Sequence, residues 1–318
     1  MHRSIILLIM LVLSFAPAAR AAEKYPVKAI QLIVPYAPGG GSDITGRIFC
    51  DAFKDLLPES MVVSNISGAA GMNGMGAGAR AKPDGYTILW EHPGNLAATP
   101  VVTKGKFRWT DFDIISAPAM ADTALIVPAK SKWKNIKEAI AEIQANPKKV
   151  KWGISINGVS HFTYLAIQEK TGKLDIVPVP VTGDKPRITM MLGGNIDIAT
   201  VAYSAAKPYV ESGDIRILAM VNRERSPFAP EVPTLKEEGI DVIYDFLYTA
   251  HVPKGTPAEV QKILRDAFEK AIRDPKVQDA LKKQFVSPVI ISHKETVERW
   301  AAEAAMYERL IKDNKLVK

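Results

Sequence analysis

Apolar positions along this chain fall into two patterns. Short continuous apolar runs alternate with stretches in which apolar residues return every three or four positions, the pattern of strands feeding helices. In the first such unit, Gln31 to Val34 reads as a short buried strand ended by Pro35 and Pro38, since proline cannot donate to a sheet ladder. Gly39, Gly40 and Gly41 permit a tight turn, and from Ser42 onward Ile44, Ile48, Ala52, Phe53 and Leu56 share one helical face. Ser42 is the expected N-cap, with Asp43 in the first turn. Strand, glycine loop and helix start present free backbone N–H groups at the positive end of a helix dipole, a seat for a carboxylate or phosphate. The loop is not a P-loop, because no Gly-Lys-Ser/Thr follows and the G-x-G-x-x-G spacing is missing.

The same alternation continues. Met61 to Ser64 and Tyr86 to Trp90 read as further strands, separated by the turn from Ser67 to Gly71, a small-residue helix to Ala81 and the turn Asp84-Gly85. This spacing predicts a parallel, doubly wound sheet, with the loops at 36–43, 67–73 and 91–95 on its carboxyl edge, where ligands sit. A second α/β unit follows. Its expected strands are Ala124 to Pro128, Val150 to Ser155, Ile176 to Val179, Ile196 to Ala199 and Ile215 to Val221. Between them lie a helix capped by Asn135 and Glu138, the loop from Ile156 to Ser160 and a helix to Thr171. The loop from Pro180 to Lys185 leads into a helix ending at Gly193-Gly194, and another helix spans Tyr203 to Ser212. Phe246 to Ala250 reads as a strand crossing back, followed by a helical tail with no sheet partner of its own. Thr256 to Glu259 reads there as a capping box, Asp274-Pro275 as a helix start, and Ser292 with Glu295 as a cap. The fold class is α/β. Two lobes, 22–124 with 249–318 and 125–248, are each a sheet flanked by helices, and two crossover segments make a hinge over a cleft.

Composition adds compartment and partner class. The chain has 318 residues, 47% of them hydrophobic, which suits a soluble globular protein of two lobes. Its start is different: a basic Met-His-Arg, an apolar run from Ile5 to Phe15 and the small-x-small site Ala19-Arg20-Ala21 read as a cleaved signal peptide, residues 1–21. The mature protein is therefore expected to be periplasmic. Cys50 is the single cysteine, so no internal disulfide or thiolate metal cluster forms, and it reads as a core residue. The formal charge of +7 is scattered among acidic residues along helices, a solvated-face pattern and not a nucleic-acid stripe. The histidines show no paired-ligand spacing, so neither metal nor cofactor is expected. The tryptophans read as packing residues.

Several short stretches resemble one family, the periplasmic solute-binding receptors of tripartite tricarboxylate transporters, often called Bug receptors. They are Tyr25-Pro26; Val34-Pro35-Tyr36-x-Pro38-Gly39-Gly40-x-Ser42-Asp43; Pro83 to Thr87; Arg225-Ser226 with Pro230-x-Val232-Pro233-Thr234-x-x-Glu237-x-Gly239; and Pro253-x-Gly255-Thr256-Pro257. Five pieces in order span the mature chain. The resemblance implies a two-lobed periplasmic-binding fold of type II-like form. It also implies a monomer that captures a small carboxylated solute for a membrane permease. It places the carboxylate against Tyr36, Pro38, Gly39, Gly40, Gly41, Ser42 and Asp43, with His92 on the neighbouring loop. The far end of the ligand would meet the second lobe near Ser155 to His161 and Val181 to Asp184, among them Ser155, Asn157, Ser160, His161 and Thr182; Asp197 and Tyr203 are further candidates from their place beside a strand end. This chain departs from the family at Asn157 to His161, and at Val179 to Gly183, where an aromatic residue and a lysine are missing. The expected solute is therefore a mono- or dicarboxylate with an aliphatic or aromatic body, more than a tricarboxylate. Asp43 is expected to orient water or the loop backbone and not to touch an anion directly.

Two other readings use the same residues. A binding protein of this shape could dock to a membrane sensor kinase in place of a permease. A secreted hydrolase would need a triad from Ser42, Asp43, Ser160, His161 and Asp197, but no G-x-S-x-G elbow is present.

Overall fold

The computed structural model describes residues 25–317, and the expected signal peptide lies outside them. In chain order the first part carries β1 (Ile30–Val34), α1 (Gly41–Phe53), β2 (Met61–Asn65), α2 (Met72–Ala79), β3 (Thr87–Glu91), α3 (Pro93–Val102) and β4 (Phe112–Ala121). The second part carries β5 (Thr123–Pro128), α4 (Ile136–Ala145), β6 (Lys151–Ile154), α5 (Val159–Thr171), β7 (Val177–Pro180), α6 (Asp184–Leu192), β8 (Ile198–Ala202), α7 (Tyr203–Glu211) and β9 (Ile215–Met220). The chain returns through β10 (Phe246–Pro253) to α8 (Ala258–Arg273), α9 (Pro275–Lys282), β11 (Val286–Pro288) and α10 (His293–Asp313). No helix among the described residues is long and apolar enough to cross a membrane.

Two sheets result, ordered β11-β4-β10-β3-β1-β2 and β7-β6-β8-β5-β9. Each is mixed, where the sequence pattern predicted a parallel one. β1 runs parallel to β2 and β3, while β10 is antiparallel to β3 and to β4. In the second sheet β6 is parallel to β7 and β8, while β5 is antiparallel to β8 and β9. β5 and β10, the strands entered on crossing between the sheets, run antiparallel to their neighbours, as does β11 to β4. β4 passes into β5 through Asp122 alone, and β10 starts with Phe246 opposite Ala121.

Three elements appear where the sequence suggested none. β4 lies between β10 and β11 with seven of its ten positions buried, so no polar-out alternation marks it. β11 gives the helical tail a sheet partner, pairing Val286 with Ala121. α3 forms despite Gly94 and Pro100, opened by Pro93 at its first position and by the His92 ring accepting the Asn95 N–H. Capping also differs at two sites. Gly40, not Ser42, is the N-cap of α1. α8 starts after Pro257 without a side-chain cap, because the Thr256 hydroxyl is spent on Pro253 O at 2.8 Å. The expected caps at Asn135, Asp274 and Ser292 form.

α1 and α8 cover one face of the first sheet through Phe49, Phe53, Phe268 and Trp90, all fully buried. Cys50 packs among them, and burial pushes its thiol up to about 12. On the opposite face α10 places Tyr307 against Gly94 of α3 and Trp300 against Trp109 and His251, and extends to α5, where Phe162 meets Tyr307 edge-on at 4.9 Å. The tail thus touches both lobes, where packing on the first alone was expected.

Candidate functional site

A cavity of about 690 Å³ opens between the carboxyl edges of the two sheets. Its first wall is the loop after β1 and the start of α1. Gly39 turns with φ +84°, a conformation only glycine adopts freely, and brings its N–H 2.9 Å from Asp43 Oδ2. Arg47, with the Asn65 amide, also holds Asp43, and this pairing lowers its carboxyl to about 2. Asp43 is therefore the brace of the loop and faces away from the cavity. With no side chain capping α1, the N–H groups of its first turn remain for a ligand. Beside them stands the hydroxyl of Tyr248, a buried residue, lining the cavity and without a hydrogen-bond partner among the described residues. A Cβ on Gly41 would lie 2.7 Å from that oxygen, so the glycine is what lets backbone and phenol share the space.

Under this wall is a buried network that the sequence reading missed. Tyr36 donates to Glu91 Oε1 at 2.8 Å, Asn95 Nδ2 donates to Tyr36 Oη at 2.9 Å, and the His92 N–H donates to Glu91 Oε1 at 2.8 Å. His92 Nδ1 accepts the Asn95 N–H at 3.3 Å, which leaves the proton on Nε2. Burial raises Glu91 to about 7 and lowers His92 to about 3, so the 3.2 Å contact between them joins a neutral imidazole to the carboxyl and is not an ion pair. The network locks the Tyr36 ring, which with His92 and Asn95 faces the cavity.

The second wall comes from the starts of α5 and α6 and the end of β8. Ser160 accepts the Ser155 N–H at 2.8 Å. Asp184 and Arg187 on α6 form a 2.9 Å ion pair. Arg187 also donates to Thr200 O at 2.6 Å, while the buried Thr200 hydroxyl has no partner. Phe246 from β10 and Phe285 from the segment before β11 complete an apolar middle.

Of the residues singled out in the sequence, Tyr36, Gly40, Gly41, Ser42, His92, Ser155 and Ser160 line this cavity. The others lie elsewhere. Pro38, Gly39 and Thr182 are exposed beside the wall. Asn157 gives its N–H to His161 Nδ1 at 3.2 Å, and His161 lines a separate smaller hollow with Tyr164. Asp197 precedes β8, at the opposite end of the strand from the cavity, and accepts the Lys151 N–H at 2.8 Å. Tyr203 packs on Phe285 and donates to Phe228 O at 2.9 Å. Asn95, Arg187, Thr200 and Tyr248 were not singled out, and Asp184 entered only as the end of the stretch Val181 to Asp184. Only Arg187 left a clear signal, as a charge on the helix face that carries Ile188 and Met191.

Two sheet-and-helix lobes facing each other across a polar-ended cleft are the architecture of a solute-binding protein. The chain belongs to the family described as "Tripartite tricarboxylate transporter family receptor", which matches residues 46–316. It is similar to the "UPF0065 protein in gbd 5'region" of Cupriavidus necator, 31% identical over 94% of this chain and 91% of that one. Among solved structures, a TctC solute binding protein from Polaromonas superposes with a TM-score of 0.81 at 30% identity, covering 91% of this chain and 99% of the other. An R. palustris protein solved with adipate gives a TM-score of 0.76 at 25% identity, over 91% and 97% of the two chains.

Proposed function

We propose that this receptor captures a small carboxylated solute in the cleft and delivers it to the membrane permease of a tripartite tricarboxylate-type transporter. The observation that carries the reading is the uncapped N-terminus of α1 beside the unpartnered Tyr248 hydroxyl, both on the cavity wall. Backbone N–H groups, a phenol and the Ser42 hydroxyl together suit a carboxylate. The adipate-bound relative supports the same ligand class. The lobes 22–124 with 249–318 and 125–248 act as the closing bodies, hinged at Asp122 and at the segment from Asn222 to Asp245. There the Asn222 side chain accepts the Thr123 N–H at 2.9 Å and Ser226 bonds Asp122. Ser160 Oγ accepts the Ser155 N–H and His161 Nδ1 accepts the Asn157 N–H, with no hydrogen bond between the two side chains among the described residues, which supports binding over hydrolysis.

A thermal-shift panel of the mature protein tests this. Carboxylates at about 100 times Kd should add roughly 2.7 kcal/mol of stability, while sugars add nothing. Gly41→Ala, whose methyl would collide with the Tyr248 hydroxyl, should abolish the shift. Stabilisation by sugars alone would overturn the reading.

A further inference from the structure

Two charged side chains of the second lobe reach the cavity, and they are unequally available. The Arg187 guanidinium is spent inside the protein: Nε donates to Gly183 O at 3.2 Å, Nη1 to Thr200 O at 2.6 Å and Nη2 to Asp184 Oδ1 at 2.9 Å. Its side chain is 8% exposed, against 32% for Asp184. Asp184 Oδ2 accepts only the Ala202 N–H, at 3.2 Å, so both carboxylate oxygens keep acceptor capacity towards the cavity. Asp184 is also the charge that, after burial, does most to raise the Tyr248 hydroxyl, and that hydroxyl stands at the carboxylate seat. Of the second lobe's two charges, the one free to meet a ligand is thus an acceptor, with its cation folded behind it, while Lys283, exposed just after α9, is the further charge on the cavity wall.

This polarity sorts ligands. An acid with a bare hydrocarbon body would leave Asp184 without a donor, and a second carboxylate would be set against it. An acid that also carries an ammonium or hydroxyl group would satisfy both walls at once. We propose that Asp184, braced by Arg187, is the specificity-determining residue of this receptor and selects carboxylic acids bearing a hydrogen-bond-donating substituent, ammonium ahead of hydroxyl. The inference rests on the carboxylate reading above and refines it.

Calorimetric titration of the mature protein with matched acids tests it. The probes are butyrate, succinate, 2- and 4-aminobutyrate and the corresponding hydroxybutyrates, with hexanoate, adipate and 6-aminohexanoate as a longer series. The best amino acid of a series should bind about tenfold or more tightly than its plain acid or diacid. Asp184→Asn keeps an oxygen for Arg187 but drops the charge. It should erase that preference and leave succinate or adipate bound equally or more tightly. Arg187→Met serves as the second variant: it should weaken the amino acids most, because Asp184 loses its brace. A diacid that binds the wild type as tightly as any amino acid would overturn the proposal. So would an Asp184→Asn protein that loses every acid by one common factor, or an Arg187→Met protein that loses only the diacids. In these three cases carboxylates still bind and the proposed function stands. If every acid fails and a sugar binds, the carboxylate reading itself falls, and this inference with it.

Discussion

Single residues here do one job at a time, and two of them allow those jobs to be measured apart. The Tyr248 hydroxyl bonds nothing among the described residues, so Tyr248→Phe should change the melting temperature little. The same change should weaken carboxylate binding about tenfold, since a donor at the seat is lost; calorimetry on both properties checks the split. Glu91 is the converse, a residue that touches no ligand yet holds Tyr36 and Asn95. Its carboxyl is raised from 4.5 to about 7, so the folded protein binds a proton that the unfolded chain has released. That contribution is fully present below about 4.5 and is lost as pH rises to about 7. His92 and His251, lowered to about 3, act oppositely: stability is lost as pH falls from 6.5 to about 3. Comparing wild type with Glu91→Gln isolates the carboxyl. The stability of wild type relative to the variant should fall as pH rises through the 4.5–7 window, and a difference independent of pH would exclude the titration. Neither role was legible beforehand. Tyr248 sits in Phe246-Leu-Tyr-Thr-Ala250, where nothing in the sequence says which way the ring turns.

Among the elements, periodicity identified those with one buried face and failed where burial is two-sided or the helix carries breakers. α1, α4, α8 and α10 were legible because their apolar residues recur on one side. β4 was not, because it is covered on both edges and interrupted by Ser116 and Pro118. α3 was hidden by its two prolines. The N-cap at the site was expected two residues late, at Ser42, yet the turn into that helix was already evident in the glycine run. Phe268 shows what anchors α8: it is fully buried and packs on Phe49, Phe53 and Trp90. Phe268→Ala should cost about 3–5 kcal/mol, the usual range for a large cavity, as measured by denaturant unfolding. Phe268 itself does not line the cleft and reaches Tyr248 only through the stacked Trp90, so ligand affinity of the folded fraction should fall far less than stability.

For the molecule as a whole, the chain crosses between the two sheets near Asp122 and Asn222, and the tail helix α10 packs on elements of both parts. Phe162 and Tyr307 pack across from α5 to α10, and Arg309 reaches Glu169 at 3.1 Å. The exposed ion pair is worth at most about 1 kcal/mol, so the aromatic contact dominates. A bound carboxylate should lower the radius of gyration in solution scattering, and Gly41→Ala should leave it unchanged by the same acid. Local order in the chain was enough to determine the α/β class, the two lobes, the glycine turn into α1 and the family, since these rest on periodicity and on short contiguous motifs. The direction of the crossing strands, the turning of His161 and Asp197 away from the cavity, and the meeting of Tyr248, Asp184 and Arg187 were decided only in three dimensions. Those residues lie on separate elements, and only the packing of two sheets against one another makes them neighbours.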